Sequence, residues 1–152
     1  MSKKLSYKGT LAPGTQEKIR LKTLKGKTGY KITKFQLIST LPGTTNIEYV
    51  GKITKITENS IIGDVQLTDS NIMAVCYYVD NNSSAVVPNQ TIIIDNEITN
   101  QDIFVNISDV AGGSVECNYY IELESMDIND LQATQLTLQN TKSLLSQWNN
   151  II

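Results

Sequence analysis

Val115–Glu124, VECNYYIELE, alternates without a break. Val115, Cys117, Tyr119, Ile121 and Leu123 take one side of an extended chain; Glu116, Asn118, Tyr120, Glu122 and Glu124 take the other. Side chains alternate across a strand, so this stretch predicts a strand with one buried face and one wet, acidic face. The same period recurs upstream. Glu17–Thr23 turns Ile19 and Leu21 inward and Lys18, Arg20 and Lys22 outward. Tyr30–Thr40 alternates but slips phase between Ile32 and Phe35, which predicts a bulge near Thr33–Lys34. Asn46–Thr57 puts Ile47, Tyr49, Gly51 and Ile53 on one face. Asn71–Val79 is apolar on both faces, the mark of a central strand covered on both sides. Thr91–Ile94 in Val86–Asp95, Asp102–Ile107 and short segments at Ser60–Ile62 and Val65–Thr68 complete the series. Turn residues at 24–29, 41–43, 80–85, 96–101 and 109–113 separate the strands. About eight strands at such spacing predict a mainly β fold, an antiparallel β-sandwich or jelly-roll-like domain.

Ser125–Ile152 differs in kind. Asp127, Asn129 and Asp130 supply caps and acids for a helix start, and no Gly or Pro follows. Alternate steps of three and four residues run through Ile128, Leu131, Gln135, Leu138, Lys142, Leu145, Asn149 and Ile152. Beyond the start one heptad position is apolar and the other polar, which is half the seam of a coiled coil. Two packings follow: Leu131, Leu138 and Leu145 lie along the chain's own sheet or a neighbour's, or they meet other copies in a multimeric coil. Trp148 and Ile151-Ile152 add apolar material that favours docking against something. The organisation expected is an N-terminal arm at 1–16, a β-sandwich at 17–125 and a C-terminal helix at 126–152.

A chain of 152 residues buries a core without disulfide or metal. No apolar run approaches the roughly 20 residues that span a bilayer, and the first residues lack the apolar stretch of a secretory signal. Cys76 and Cys117 fall in strands and read as buried free thiols rather than a disulfide. The charge is lopsided: residues 1–56 hold 12 Lys and Arg against Glu17 and Glu48, and the remainder holds Lys142 against 13 acids. Either the two halves pair within one fold, or they meet a polar partner, nucleic acid or another copy. The acidic face of Val115–Glu124 is a natural neighbour for Lys18, Arg20 and Lys22.

Chemistry is scarce. The chain has no histidine, which removes the commonest general base and metal ligand. The Gly26-Lys27-Thr28 triplet is no phosphate loop, since Leu21 stands where the first glycine belongs and a strand follows. Asp95, Glu97 and Asp102 lack the density of a calcium loop. No enzyme, metal or cofactor is expected.

Three segments, EKIRLKTLKGKTGYKITKFQL at 17–37, QTIIIDNEITNQDIFV at 90–105 and CNYYIELE at 117–124, resemble small uncharacterised virion-associated proteins of marine tailed bacteriophages, the short-tailed phages of ocean bacteria. The resemblance covers most of the β domain and carries over no site residue. It implies a virion structural protein, made in the host cytoplasm, rather than an enzyme. The β pattern, the absence of catalytic residues, the charge polarity and the apolar chain end then point to a capsid decoration or cement subunit held by its basic arm and its helix. The partners implied are the major capsid protein or portal and tail subunits, with further copies of itself. Leu131, Leu138, Leu145, Trp148, Lys18, Arg20 and Lys22 are the interface residues expected. The alternatives are a head–tail connector, tail or fibre subunit, and, in a different class, a nucleic-acid-binding accessory protein using the basic first third.

Overall fold

The computed structural model describes residues 2–43, 46–80 and 89–151, with the side chains at 89, 143 and 146–151 outside that description. Among the described residues nine strands and one helix follow in chain order: β1 (Lys3–Leu11), β2 (Thr15–Ile19), β3 (Thr28–Ser39), β4 (Ile47–Thr54), β5 (Ile72–Asp80), β6 (Asn89–Ile94), β7 (Ile98–Thr99), β8 (Ile103–Asp109), β9 (Cys117–Asp127) and α1 (Asp130–Ile151). Of the loop expected at 80–85, Asp80 is the last residue of β5, and residues 81–85, like the side chain of Trp148, lie outside the described residues.

The strands pair from the ends of the chain inward. β1 pairs with β9, β2 with β8, β3 with β7 and β4 with β5, all antiparallel. Two sheets result, β1-β9-β3-β7 and β2-β8-β4-β5-β6. With β6 set aside as an added edge strand, this is the nested order of a jelly roll. The mainly β sandwich with a C-terminal helix read from the pattern is therefore the fold.

The two sheets bury one core between them. Ile103, Val105 and Ile107 of β8 and Ile53 of β4 face Phe35 and Leu37 of β3 and Ile121 and Leu123 of β9, all fully or almost fully buried. A side chain of this size contributes about 2 kcal/mol when buried. Gly51 is needed where β4 passes under β3, because a Cβ there would stand 2.8 Å from Leu37 and 3.1 Å from Phe35. Cys76 and Cys117 are both buried free thiols. The bulge falls where the phase slip placed it: the β3–β9 register shifts between Ile32 and Lys34, and Thr33 donates its hydroxyl to the Glu122 carbonyl at 3.3 Å.

Two bounds move: the strand expected at 17–23 is Thr15–Ile19, and the helix expected from 126 starts at Asp130, because β9 continues through Asp127 in its ladder with β3. Three larger expectations also need correction. The first 16 residues are not an arm: β1 and the start of β2 lie there, with Leu11 in the core and Leu5 and Tyr7 packed against it. The alternation of Leu5, Tyr7, Gly9 and Leu11 is interrupted by a glycine, which masks it as a hydrophobic signal. Ser60–Ile62 and Val65–Thr68 are not strands. Residues 55–71 instead lie against the outer face of the larger sheet, where Gln16 and Glu58 exchange hydrogen bonds and Lys52 donates to the Asp64 carbonyl at 2.9 Å. Finally, β9 does not pair with β2. Glu124 stands opposite Lys4 on β1 and Lys31 on β3, and Glu122 stands opposite Ser6 and Lys34. Part of the charge asymmetry is thus matched by register within the smaller sheet. More of it is matched by the ion pairs Lys18–Asp102, Lys27–Asp130, Lys52–Asp64 and Lys55–Glu97, each of which joins the basic first part of the chain to the acidic remainder.

Candidate assembly surface

α1 begins with a reciprocal cap. Asn129 Oδ1 accepts from the Gln132 N–H at 2.8 Å, and Gln132 Oε1 accepts from the Asn129 N–H at 3.3 Å. Two of the four unpaired donors at the helix start are satisfied this way. Just upstream, Ile128 is buried and its N–H donates to the Lys27 carbonyl at 2.9 Å, so the chain leaves β9 in a fixed direction.

The helix is held to the sandwich by polar side chains. Asn100, 0% exposed, sends its amide nitrogen toward the Gly26 carbonyl (3.0 Å), the Ala133 carbonyl (3.2 Å) and Thr137 Oγ1 (3.2 Å). Its Oδ1 accepts from Gln101 Nε2 at 3.0 Å. Farther along, Asn140 donates to the Lys55 carbonyl at 3.4 Å. Ala133, Thr137 and Asn140 follow one another by four and three residues and so form one helix face. The small Ala133, itself buried, lets the helix approach this closely.

That choice of face decides what α1 shows to solvent. Leu138 lies five residues past Ala133, about 140° round the helix. Leu131, Leu138 and Leu145, spaced by seven, stand on that far side and are 67%, 58% and 59% exposed. The packing in which these leucines lie along the chain's own sheet is therefore overturned. The docked face is the one with Ala133, Thr137 and Asn140, where the buried Asn100 amide reaches the Ala133 carbonyl past a small side chain and finds in Thr137 a hydroxyl that a leucine lacks.

Lys18, Arg20 and Lys22 lie elsewhere, at the end of the sandwich where β2 runs out. With Thr23, the exposed Leu24 and Asp102 they line an open depression of about 500 Å³. Asp102 neutralises part of it. Its carboxylate accepts the N–H groups of Leu21 and Lys22, both at 2.9 Å, and pairs with Lys18 at 3.4 Å. Burial would raise the Asp102 pKa, but those two N–H donors and Lys18 outweigh it and hold the carboxyl below its usual value. Glu97, considered beside Asp102 for a metal, pairs with Lys55, so the two carboxylates serve different cations. Among the described residues no three Cys, Asp or Glu side chains converge as metal ligands. No helix among them is long and apolar enough to cross a membrane.

The expected interface residues therefore separate into two places. The leucines share one exposed face of α1, and the basic trio sits at the sandwich end. Asn100, which decides the helix orientation, was missed. Its signal was a run of uncharged Thr99, Asn100 and Gln101 inside a turn otherwise judged by its acids. No family model matches the chain, and no curated protein matches it either.

Proposed function

We propose that the chain is a non-catalytic structural subunit that works through protein–protein contacts, joining further copies of itself through α1. The observation that carries this reading is the leucine stripe. A helix pinned by polar anchors on one side holds Leu131, Leu138 and Leu145 in water on the other. Covering each would contribute roughly 1.5–3 kcal/mol. A helix on a second copy, laid along the same stripe, covers all three.

The resemblance of segments 17–37, 90–105 and 117–124 to virion-associated phage proteins supports placing this subunit in a phage particle, as a capsid decoration or cement protein. The jelly-roll order supports the same reading as an analogy of fold, since such double sheets recur in capsids. A connector, tail or fibre role uses the same helix about a symmetry axis. The nucleic-acid reading is weakened by Asp102 within the basic trio and by Glu122 and Glu124 among the lysines of β1 and β3.

Light scattering tests the assembly. The full chain is expected to run as an oligomer, and a variant carrying Leu131→Gln, Leu138→Gln and Leu145→Gln as a folded monomer. A full chain that is monomeric at high concentration sinks the reading. For the particle, mass spectrometry of purified virions should find the chain in stoichiometric copies; its absence there removes the virion role.

A further inference from the structure

On the outer face of the smaller sheet, β1, β9 and β3 present side chains in register. Lys8, Tyr120 and Gln36 form one row, and Thr10, Asn118 and Ile38 form the next. These rows line an open groove of about 580 Å³, whose lining extends to Gln90 of β6. Gln90 belongs to the other sheet and is tied to this one by its Nε2, which donates to the Leu37 carbonyl at 2.8 Å. The groove is unrelated to α1, none of whose residues line it.

The hydrogen-bonding capacity left over in the groove is specific. Asn118 accepts from the Thr10 hydroxyl through Oδ1 at 2.7 Å, and its amide N–H groups have no acceptor among the described residues. Tyr120 gives its hydroxyl to Glu122 at 2.8 Å, leaving the ring as apolar surface. Gln36 is exposed, and its side chain, like that of Lys8, makes no hydrogen bond or ion pair among the described residues. Ile38 adds exposed apolar surface in the same groove.

Each candidate ligand chemistry meets this inventory differently. A planar amide offers a donor and an acceptor side by side, which suits neighbouring hydroxyls that each donate and accept. An aromatic ring beside such amides suits an apolar C–H face. A phosphorylated ligand would find one cation, Lys8, and no second charge to share the load. A wholly apolar ligand would bury the free amides of Gln36 and Asn118 without partners. The volume lies within the roughly 300–1,000 Å³ typical of small-molecule sites.

We propose that this groove binds a neutral sugar ring, which packs its apolar face on Tyr120 and Ile38 and places its hydroxyls against Gln36 and Asn118. Such a site would let a structural subunit also adhere to a glycan surface, and it stands or falls independently of helix-mediated assembly.

The test is amide-detected NMR titration of the full chain with glucose, galactose, mannose, rhamnose, N-acetylglucosamine and N-acetylgalactosamine at tens of millimolar. Cyclohexanol and inorganic phosphate serve as the competing chemistries. At least one sugar is expected to shift the side-chain amides of Gln36 and Asn118, while cyclohexanol and phosphate leave them in place. Tyr120→Ala should weaken that sugar roughly tenfold or more, and Tyr120→Phe should change it less than about twofold because the hydroxyl is already engaged. Gln36→Ala, at an exposed position, supplies a second loss if Tyr120→Ala fails to fold. Silence with all six sugars overturns the proposal. So does an equal response to cyclohexanol, or full affinity retained in a folded Tyr120→Ala or Gln36→Ala variant.

Discussion

The phenol of Tyr119 donates a 2.6 Å hydrogen bond to the carboxylate of Glu17, joining β9 of one sheet to β2 of the other. To get there the ring crosses β1 at Gly9, where a Cβ would stand 2.7–2.8 Å from the ring and its hydroxyl. Two strands from the start of the chain and one from near its end are tied together by this one side chain. Tyr119→Phe keeps the packing and removes the bond, with an expected loss of about 1 kcal/mol. Gly9→Val displaces the ring itself and should cost more, about 1–3 kcal/mol. Urea midpoints measure both, and Gly9→Val milder than Tyr119→Phe would contradict the crossing.

Alkaline pH should unfold this protein through its buried thiols and phenols, Tyr119 among them. Burial lifts the thiols, Cys76 to about 11 and Cys117 to about 12, where the nearby Cys76 thiol adds to the effect. Burial also lifts Tyr49 to about 12, and burial together with Glu17 raises Tyr119. In the unfolded chain cysteines lose their protons near pH 8.5 and tyrosines near pH 10. Above those values the unfolded state sheds protons that the folded state keeps. Stability is therefore whole below about pH 8.5, declines beyond it, and declines more steeply above about pH 10. Tyr119→Phe should flatten the second part of that decline; a variant curve parallel to the parent above pH 10 would contradict this.

Deleting residues 2–11 should abolish the fold rather than trim an arm. The deletion strips β9 of one of its two neighbours and removes Leu11 from the core. A domain's whole margin is about 5–15 kcal/mol, which the loss of a nine-residue edge strand, with its ladder to β9 and the buried Leu11, is expected to exceed. Circular dichroism showing an intact β spectrum with a cooperative melt would refute this.

Asn100→Ala should free α1 while leaving the sandwich standing. The substitution leaves the Gly26 and Ala133 carbonyls without that donor and Gln101 Nε2 without one acceptor, for an expected cost of about 2–3 kcal/mol. Hydrogen exchange should quicken across 130–142 and stay slow in β3, β8 and β9. Unchanged protection of the helix would mean that Asn100 is not its anchor.

Placing Asp102 at the base of the basic trio also predicts an acid-side effect. Its depressed pKa makes a contribution present above the carboxylate's unfolded value, near 3.9, and lost as pH falls through the folded one. Asp102→Asn should weaken the protein at pH 7 and narrow its difference from the parent on acidification. A difference that widens with acid would show that Asp102 acts otherwise.

The strand faces were legible in the chain itself. Ile19 and Leu21 inward, Lys18, Arg20 and Lys22 outward, the bulge at Thr33 and the spacing of Leu131, Leu138 and Leu145 all follow from local geometry. Side-chain direction in a strand or helix depends on nothing beyond the backbone period. Which strand meets which was decided only in three dimensions. Glu122 and Glu124 alternate to the outside whatever lies beside them, but that β1 and β3 supply their lysines depends on pairings across more than 80 residues. The groove at Tyr120 is illegible for the same reason, since Lys8, Gln36 and Asn118 are made neighbours by register and by nothing in their local sequence. So too with the helix. Its period displays two usable faces, and the buried amide of Asn100 chose between them, turning the leucines of α1 outward.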